Sequence, residues 1–185
     1  MEAVVRVAVT VTFLRMDQPQ SEQAPALPPG YEIVRATKPS VAFYRYLYNT
    51  VGADYVWWLR RTLSDRELGA LLAEREVSIH TLYRGGEPAG FFELDGRGWP
   101  DMNLSYFGLM PHAVGSGIGY RFLRKAIDGA WATGAKGLTV NTCTADHPRA
   151  LPTYIRSGFR TVRQAREVWD VPTRLGLRIP PHVRP

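Results

Sequence analysis

Residues 102–119 read Met-Asn-Leu-Ser-Tyr-Phe-Gly-Leu-Met-Pro-His-Ala-Val-Gly-Ser-Gly-Ile-Gly. The first half, bounded by Pro111, predicts a strand over about Met102 to Met110. A glycine-rich turn follows, and Ile118, Phe122, Leu123, Ile127, Ala130 and Trp131 then recur at the spacing of a helix with one buried side, closed by Gly134. A strand that feeds such a turn into a helix leaves the first backbone N–H groups without intrahelical partners. With the helix dipole they form an anion site, and the missing side chains let a phosphate approach the main chain. A tight strand-to-helix connection that serves only packing is the alternative reading, because glycines are common at turns.

The surroundings of the turn narrow the choice. A dinucleotide fold carries its glycine fingerprint early, in a repeated strand-helix-strand series with an acidic residue about 20 residues on. Here the turn lies past the middle of the chain and lacks the Gly-Lys-Ser/Thr of a phosphate loop. Upstream, Val77 to Tyr83 and Ala89 to Asp95 read as strands joined by Arg84-Gly85-Gly86-Glu87, a hairpin turn in which glycines accept positive φ. Ser64 with Glu67 makes a capping box ahead of Leu68, Leu71 and Leu72. Ser40 opens a helix through Phe43, Tyr44, Leu47 and Tyr48, and Tyr55 to Arg61 reads as a second helical piece dense in aromatics.

Further out, Val5, Val7, Val9, Val11 and Phe13 alternate with Arg6, Thr10 and Thr12, the period of a strand with one buried face. Asp17 to Gly30 is a loop rich in Gln, Ala and Pro, and Tyr31 to Ala36 a short strand. Downstream come a strand from Gly137 to Cys143, a short helix around Arg149 to Arg156 stopped by Gly158, a strand over about Phe159 to Val171 and an irregular Pro-rich tail. The predicted class is α+β: a mixed, mostly antiparallel central sheet flanked by helices, with one β-turn-helix-β unit whose strands can run parallel.

The 185 residues are 45% hydrophobic and 22% charged, the balance of a globular domain. No run approaches the roughly 20 apolar residues of a spanning helix, and no signal peptide is read, so the expected location is the cytoplasm. The one cysteine, Cys143, excludes an internal disulfide framework. The net charge is +6, and all but Lys38, Lys125 and Lys136 of the 23 basic residues are arginine. Arginine grips phosphate bidentately, which suits nucleic acid or a small polyphosphorylated ligand. The arginines form no single run, so charge alone selects neither.

Leu104 to Gly119, followed by Asp146-His147-Pro148-Arg149-Ala150-Leu151-Pro152-Thr153-Tyr154-Ile155-Arg156-Ser157-Gly158-Phe159, resembles the GNAT superfamily of acyl-CoA-dependent N-acetyltransferases. The first stretch is similar to its pyrophosphate-binding motif, the second to its Asn-Pro-x-Ala-x-x-x-Tyr-x-x-x-Gly-Phe signature. The resemblance implies one acetyltransferase domain over 1–185: an extra strand in 1–17, a loop in 18–30, a core in 31–171 and a tail in 172–185. It implies that amides around Val114, Gly115, Ser116, Gly117, Ile118 and Gly119 hold the CoA pyrophosphate, and that the backbone of Leu109 and Met110 pairs with pantetheine. Arg121 and Arg124 become candidates for CoA phosphates, and Tyr154 sits near the thioester sulfur. The family usually has Arg or Gln at Val114, a basic or polar residue at Ser116 and Asn at His147. These departures imply weaker cofactor contacts with the amides retained.

Amine acetylation needs a neutral acceptor, a fixed donor for the developing oxyanion and an acid for the leaving thiolate. The backbone near Leu109 suits the second role and the Tyr154 hydroxyl the third. Glu93, flanked by aromatics, is the candidate base, although alternation puts it opposite Phe92 and an outward position fits equally. Asn103 and Ser105 are candidates to orient a water, and Trp57 and Trp58 to line the acceptor pocket, with core packing as the rival reading. A cysteine hydrolase built on Cys143 and His147 lacks an assured contact. The histidines show no metal-ligand spacing, so no metal is expected.

The expected activity is transfer of acetyl from acetyl-CoA to a primary amine by direct attack in a ternary complex. A catalytically weak acyl-CoA-binding or interaction domain is the competing class, and nucleic-acid binding stands third. Expected partners are acetyl-CoA and an amine acceptor, with a homodimer compatible and no membrane.

Overall fold

Seven strands and five helices follow one another through the computed structural model, which describes residues 2–185. The strands are β1 (Val4–Met16), β2 (Tyr31–Ala36), β3 (Val77–Arg84), β4 (Glu87–Asp95), β5 (Asp101–Leu109), β6 (Gly137–Cys143) and β7 (Arg160–Pro172). The helices are α1 (Val41–Val51), α2 (Leu59–Thr62), α3 (Asp65–Ala73), α4 (Ile118–Trp131) and α5 (Ala150–Arg156). The strands form one sheet in the order β2-β3-β4-β5-β6-β1-β7. Only β5 and β6 run parallel; every other neighbouring pair is antiparallel. This is the α+β class that the sequence predicts, a mixed and mostly antiparallel sheet flanked by helices.

Local signals set the strand and helix ends. Gly85 and Gly86 take φ of 57° and 87°, the two positive values a two-residue hairpin needs between β3 and β4. Ser64 and Glu67 exchange both bonds of a capping box at the start of α3. Alternation along β4 divides two cores. Phe92 and Leu94 pack towards α4, whereas Phe91 joins Tyr44, Leu47 and Tyr48 of α1 on the other face.

One expectation holds and one is corrected. The alternation of the first strand holds: Val5, Val7, Val9, Val11 and Phe13 share one face, and Arg6 on the other is exposed. Val7, Val9 and Val11 pack with Val171, Ile179 and Val183, while Leu14 and Met16 join the α4 core. Only the end of the strand is covered on its second face, where Leu14 and Met16 lie. The stretch from Tyr55 to Arg61 is not one helix. A short turn at Gly52–Asp54 is followed by Val56 at φ 57°, and α2 begins only at Leu59. The chain doubles back so closely that a Cβ on Gly52 would lie 2.3 Å from Trp57 Cβ.

The parallel pair decides where a site can form. β5 and β6 are in register only from Asp101 with Gly137 to Asn103 with Thr139. Arg15 clamps that closed end through its ion pair with Asp101, packed into the space left by the missing side chain of Gly137. Beyond it the strands part, and β5 from Leu104 to Leu109 pairs with β4 alone. Its other edge faces an open wedge, with Ser105 to Leu109 half-buried.

Candidate active site

The glycine-rich turn stands at the mouth of this wedge, between the end of β5 and the start of α4. Met110 leads into a short turn at Pro111–Ala113, and Gly115 and Gly117 adopt φ of 85° and 82°. Ser116 donates its N–H to Ala113 O at 3.3 Å and its hydroxyl to the same oxygen at 2.6 Å. The amides of Gly115, Gly117, Ile118 and Gly119 have no turn partner, as expected for the first turn of a helix. A Cβ built on Gly115 or Gly117 would meet nothing within 4 Å, so this ledge of N–H groups is bare. Its geometry and dipole suit a pyrophosphate. Val114 projects at the edge, 41% exposed.

Of the two residues expected to pair with pantetheine, only Leu109 keeps a free edge. Met110 is fully buried and donates its N–H to Ala89 O of β4 at 2.9 Å. Strand alternation therefore turns the Leu109 N–H towards the wedge. The pairing expected of Met110 does not fit this backbone. Arg121 and Arg124 are also engaged elsewhere: Arg121 donates to Ala26 O at 2.8 Å and the buried Arg124 to Glu22 O at 2.6 Å. They strap the 17–30 loop onto α4.

Tyr154, from α5, is 7% exposed and packs edge-on against Phe159. Burial, with the charge of Asp146, holds its hydroxyl well above the ordinary tyrosine pKa, so it carries a proton throughout the neutral range. The same two causes push the Cys143 thiol up to about 12, which leaves it protonated and unsuited to nucleophilic attack at neutral pH.

The α1 side of the wedge is aromatic. Trp57 packs at a tilt against both Tyr48 and Tyr106 of β5, with ring centres 5.3 Å and 5.0 Å away, and its indole N–H reaches Asp146 Oδ1 at 3.4 Å. Trp58 turns away from it. It packs with Trp169 in the core between β1, β7 and the tail, at 6.5 Å, so the two tryptophans do not line one pocket. Asn103 and Ser105 hydrogen-bond to each other at 2.9 Å near the closed end, where Asn103 also accepts from Thr139 at 3.0 Å.

Glu93 is neither outward nor free. It is fully buried on the α1 face of β4, accepting from Arg60 Nη2 at 2.7 Å and from the Tyr44 hydroxyl. The Arg60 guanidinium also lies 5.3 Å from the Tyr106 ring centre. Tyr44 and Arg60, which hold Glu93, and the carboxylate of Asp146 are absent from the site residues read in the sequence. Their signals were there: Tyr44 repeats with Tyr48 at helical spacing, and Asp146 opens the second motif. Among the described residues no cluster of three or more His, Cys, Asp or Glu side chains could hold a metal.

Comparison with known proteins agrees with this fold. Solved structures of GCN5-related N-acetyltransferases from Sphaerobacter thermophilus and Kribbella flavida superpose with TM-scores of 0.60 and 0.63, at 17% and 15% identity, over 92% and 94% of this chain. The chain spans 53% and 63% of their lengths. An IAA acetyltransferase from Bacillus cereus gives a TM-score of 0.54 at 23% identity, over 70% of this chain and 77% of its own. At such identities the likeness is one of fold. No curated protein matches the chain. A family model described as Acetyltransferase (GNAT) family matches residues 41–159, a stretch that contains the wedge, the amide ledge and Tyr154, and the chain belongs to that family.

Proposed function

We propose that the protein transfers an acetyl group from acetyl-CoA to a primary amine by direct attack within a ternary complex. The observation that carries the reading is the bare ledge of glycine amides at the mouth of a wedge, beside the free edge of β5 that includes Leu109. The ledge would hold the pyrophosphate and the strand edge the pantetheine. The thioester then lies in the wedge with Tyr154 on one side and the Trp57–Tyr106 surface on the other.

The chemistry follows from those positions. The amine nitrogen attacks the thioester carbonyl carbon, and the Leu109 N–H is aimed at the side where the oxyanion develops. The C–N bond forms as the C–S bond breaks, and the thiolate takes the Tyr154 proton. A thiol is a good leaving group, with a pKa of about 8.5. The protonated Tyr154 hydroxyl therefore first stabilises the departing thiolate as a hydrogen-bond donor, and its proton moves to sulfur as the new amide nitrogen gives its own to the tyrosine. The acceptor is a primary amine of unspecified kind, and the whole chain acts as one acetyltransferase domain.

A second reading keeps acyl-CoA binding and weakens the chemistry. It is favoured by Val114, an exposed apolar side chain at the rim of an anion site. Calorimetry with acetyl-CoA and a thiol-release assay over a panel of primary amines separate the two. Binding with amine-dependent CoA release supports the transferase. Binding without release over the whole panel supports the binder, and no binding overturns both.

A further inference from the structure

We propose that Asp146 is the group that takes the proton from the acceptor's ammonium. The proposal rests on the acetyltransferase reading above and assigns the base within it. Two carboxylates approach the acceptor side of the wedge, and their surroundings differ in kind. Glu93 has no exposed surface, and its two oxygens are taken by Arg60 and Tyr44. Neither a water nor an amine reaches it, and a fixed cation already balances its charge. Geometry comes before proton affinity in choosing a base, and Glu93 lacks the reach.

Asp146 has that reach. It is half-buried and forms no ion pair among the described residues. Its protein partners are neutral donors. Oδ2 accepts from Thr142 Oγ1 at 2.7 Å and from the Cys143 N–H at 2.8 Å, while Oδ1 accepts only from Trp57 Nε1 at 3.4 Å. An ionised carboxylate oxygen accepts more than one hydrogen bond, so Oδ1 retains capacity for a donor arriving along the wedge. A partly buried carboxylate with no cation gains most from acquiring one. The resting form of an alkylamine at neutral pH supplies that cation, since its pKa is about 10.4.

The position is also right. Trp57 from the segment after α1 and Thr142 and Cys143 from β6 touch Asp146, and its charge also bears on Tyr55, on Tyr106 of β5 and on Tyr154 of α5. Its chain neighbour His147 packs edge-on against Tyr55. The Asp146 charge bears on Tyr106 from one wall of the wedge and on Tyr154 from the other. Burial raises the carboxyl's own pKa, which makes it a stronger proton acceptor than a solvated aspartate.

The protons balance. The ammonium gives one proton to Oδ1, which passes it to water, and the neutral nitrogen attacks. Tyr154 protonates the thiolate and is reprotonated by the surplus proton on the new amide nitrogen. The products are the acetamide, free thiol and one released proton.

Asp146→Asn keeps the shape and the oxygen that accepts from Thr142 and Cys143; it gives up only the long bond from the Trp57 indole N–H, and it cannot take a proton. The probe is whichever of spermidine, glucosamine, glycinamide or a lysine peptide the wild type acetylates fastest. Expected for D146N are acetyl-CoA affinity within twofold of wild type, a melting temperature no lower, and a kcat/KM at pH 7 reduced at least about a hundredfold. The acidic limb of the wild-type profile, lying above the ordinary aspartate range, disappears in D146N and persists in E93Q. Turnover within threefold of wild type, or a loss matched by weaker acetyl-CoA binding and a lower melting temperature, overturns the assignment and leaves the transferase reading standing. A wild type that acetylates none of the four amines overturns both.

Discussion

Replacing Arg60 by methionine strands a carboxylate in the core. Glu93 is fully buried, and the Arg60 side chain that neutralises it retains 17% exposure. Removing one member of a buried pair costs about 3–5 kcal/mol, because the other is left charged and desolvated. Here the Tyr44 hydroxyl would remain its only partner. With about 2.1 cal/mol/K of unfolding entropy per residue, that loss lowers Tm by about 8–13 °C in a chain of this length. Converting all three polar members to apolar ones, as R60M/E93M/Y44F, removes the stranded charge and should return to within about 2 kcal/mol of wild type. The exposed pair Arg45–Asp65, in which Asp65 is 80% exposed, is the control, and D65N should cost under about 1 kcal/mol. Urea denaturation with unchanged m-values reads all three. An R60M protein within 1 kcal/mol of wild type would refute the sealed-pair account of Glu93 and readmit it as a group that water can reach.

Tyr154→Phe should lower kcat while leaving acetyl-CoA affinity within about twofold in calorimetry, and an unchanged kcat removes its hydroxyl from the chemistry. Gly117→Val places a β-branched residue at φ 82° and a side chain over the amide ledge, so acetyl-CoA binding should weaken at least about tenfold at a folding cost of about 1–2 kcal/mol; normal binding would rule out the ledge as the pyrophosphate site. His80 lies flat on Phe92 with ring centres 4.5 Å apart, and burial, helped by Arg35, lowers its pKa from 6.5 to about 4. The unfolded chain therefore takes up the proton first, so stability present above pH 6.5 is lost as pH falls towards 4, by roughly 3 kcal/mol. His80→Phe should remove that loss when urea midpoints at pH 7 and 4.5 are compared, and an identical acid dependence would show that another group carries it.

What the sequence made legible was local. The hairpin glycines, the Ser64–Glu67 box, the alternation along β4 and the strand-turn-helix at Leu109 to Ile118 each rest on a few neighbouring residues, and each formed as read. What stayed hidden depends on partners distant in sequence. The alternation in Val5 to Phe13 predicts a strand, yet nothing in those residues says that β6 and β7 flank it. Trp57 and Trp58 are adjacent and alike on paper, and only the left-handed Val56 and the reversal at Gly52 send them to different cores. Glu93 illustrates the limit most clearly. Its face was readable from the strand period, but its neutralising partner, 33 residues away on α2, was not.

The two halves of the site are built by different kinds of contact. The amide ledge and the Leu109 edge belong to a strand and helix joined by one turn, within a run of antiparallel neighbours that pair as they emerge. The loop that carries Asp146 is held from far away. Thr10 of β1 donates its N–H to Thr144 Oγ1 and accepts from the Thr144 N–H, each at 3.1 Å and 134 residues apart. His182 of the tail donates to Thr144 O at 2.9 Å. Contacts of such sequence separation form late, because closing a long loop costs entropy before any pairing repays it. The amide ledge therefore belongs to the locally determined part of the fold, whereas the Asp146 carboxylate is positioned only once β1 has entered the sheet between β6 and β7. That difference gives a physical reason for the acceptor side to vary more easily than the ledge: its geometry is set by packing between remote segments, and substitutions in β1 or the tail can move Asp146 without touching the amides at Gly115 to Gly119.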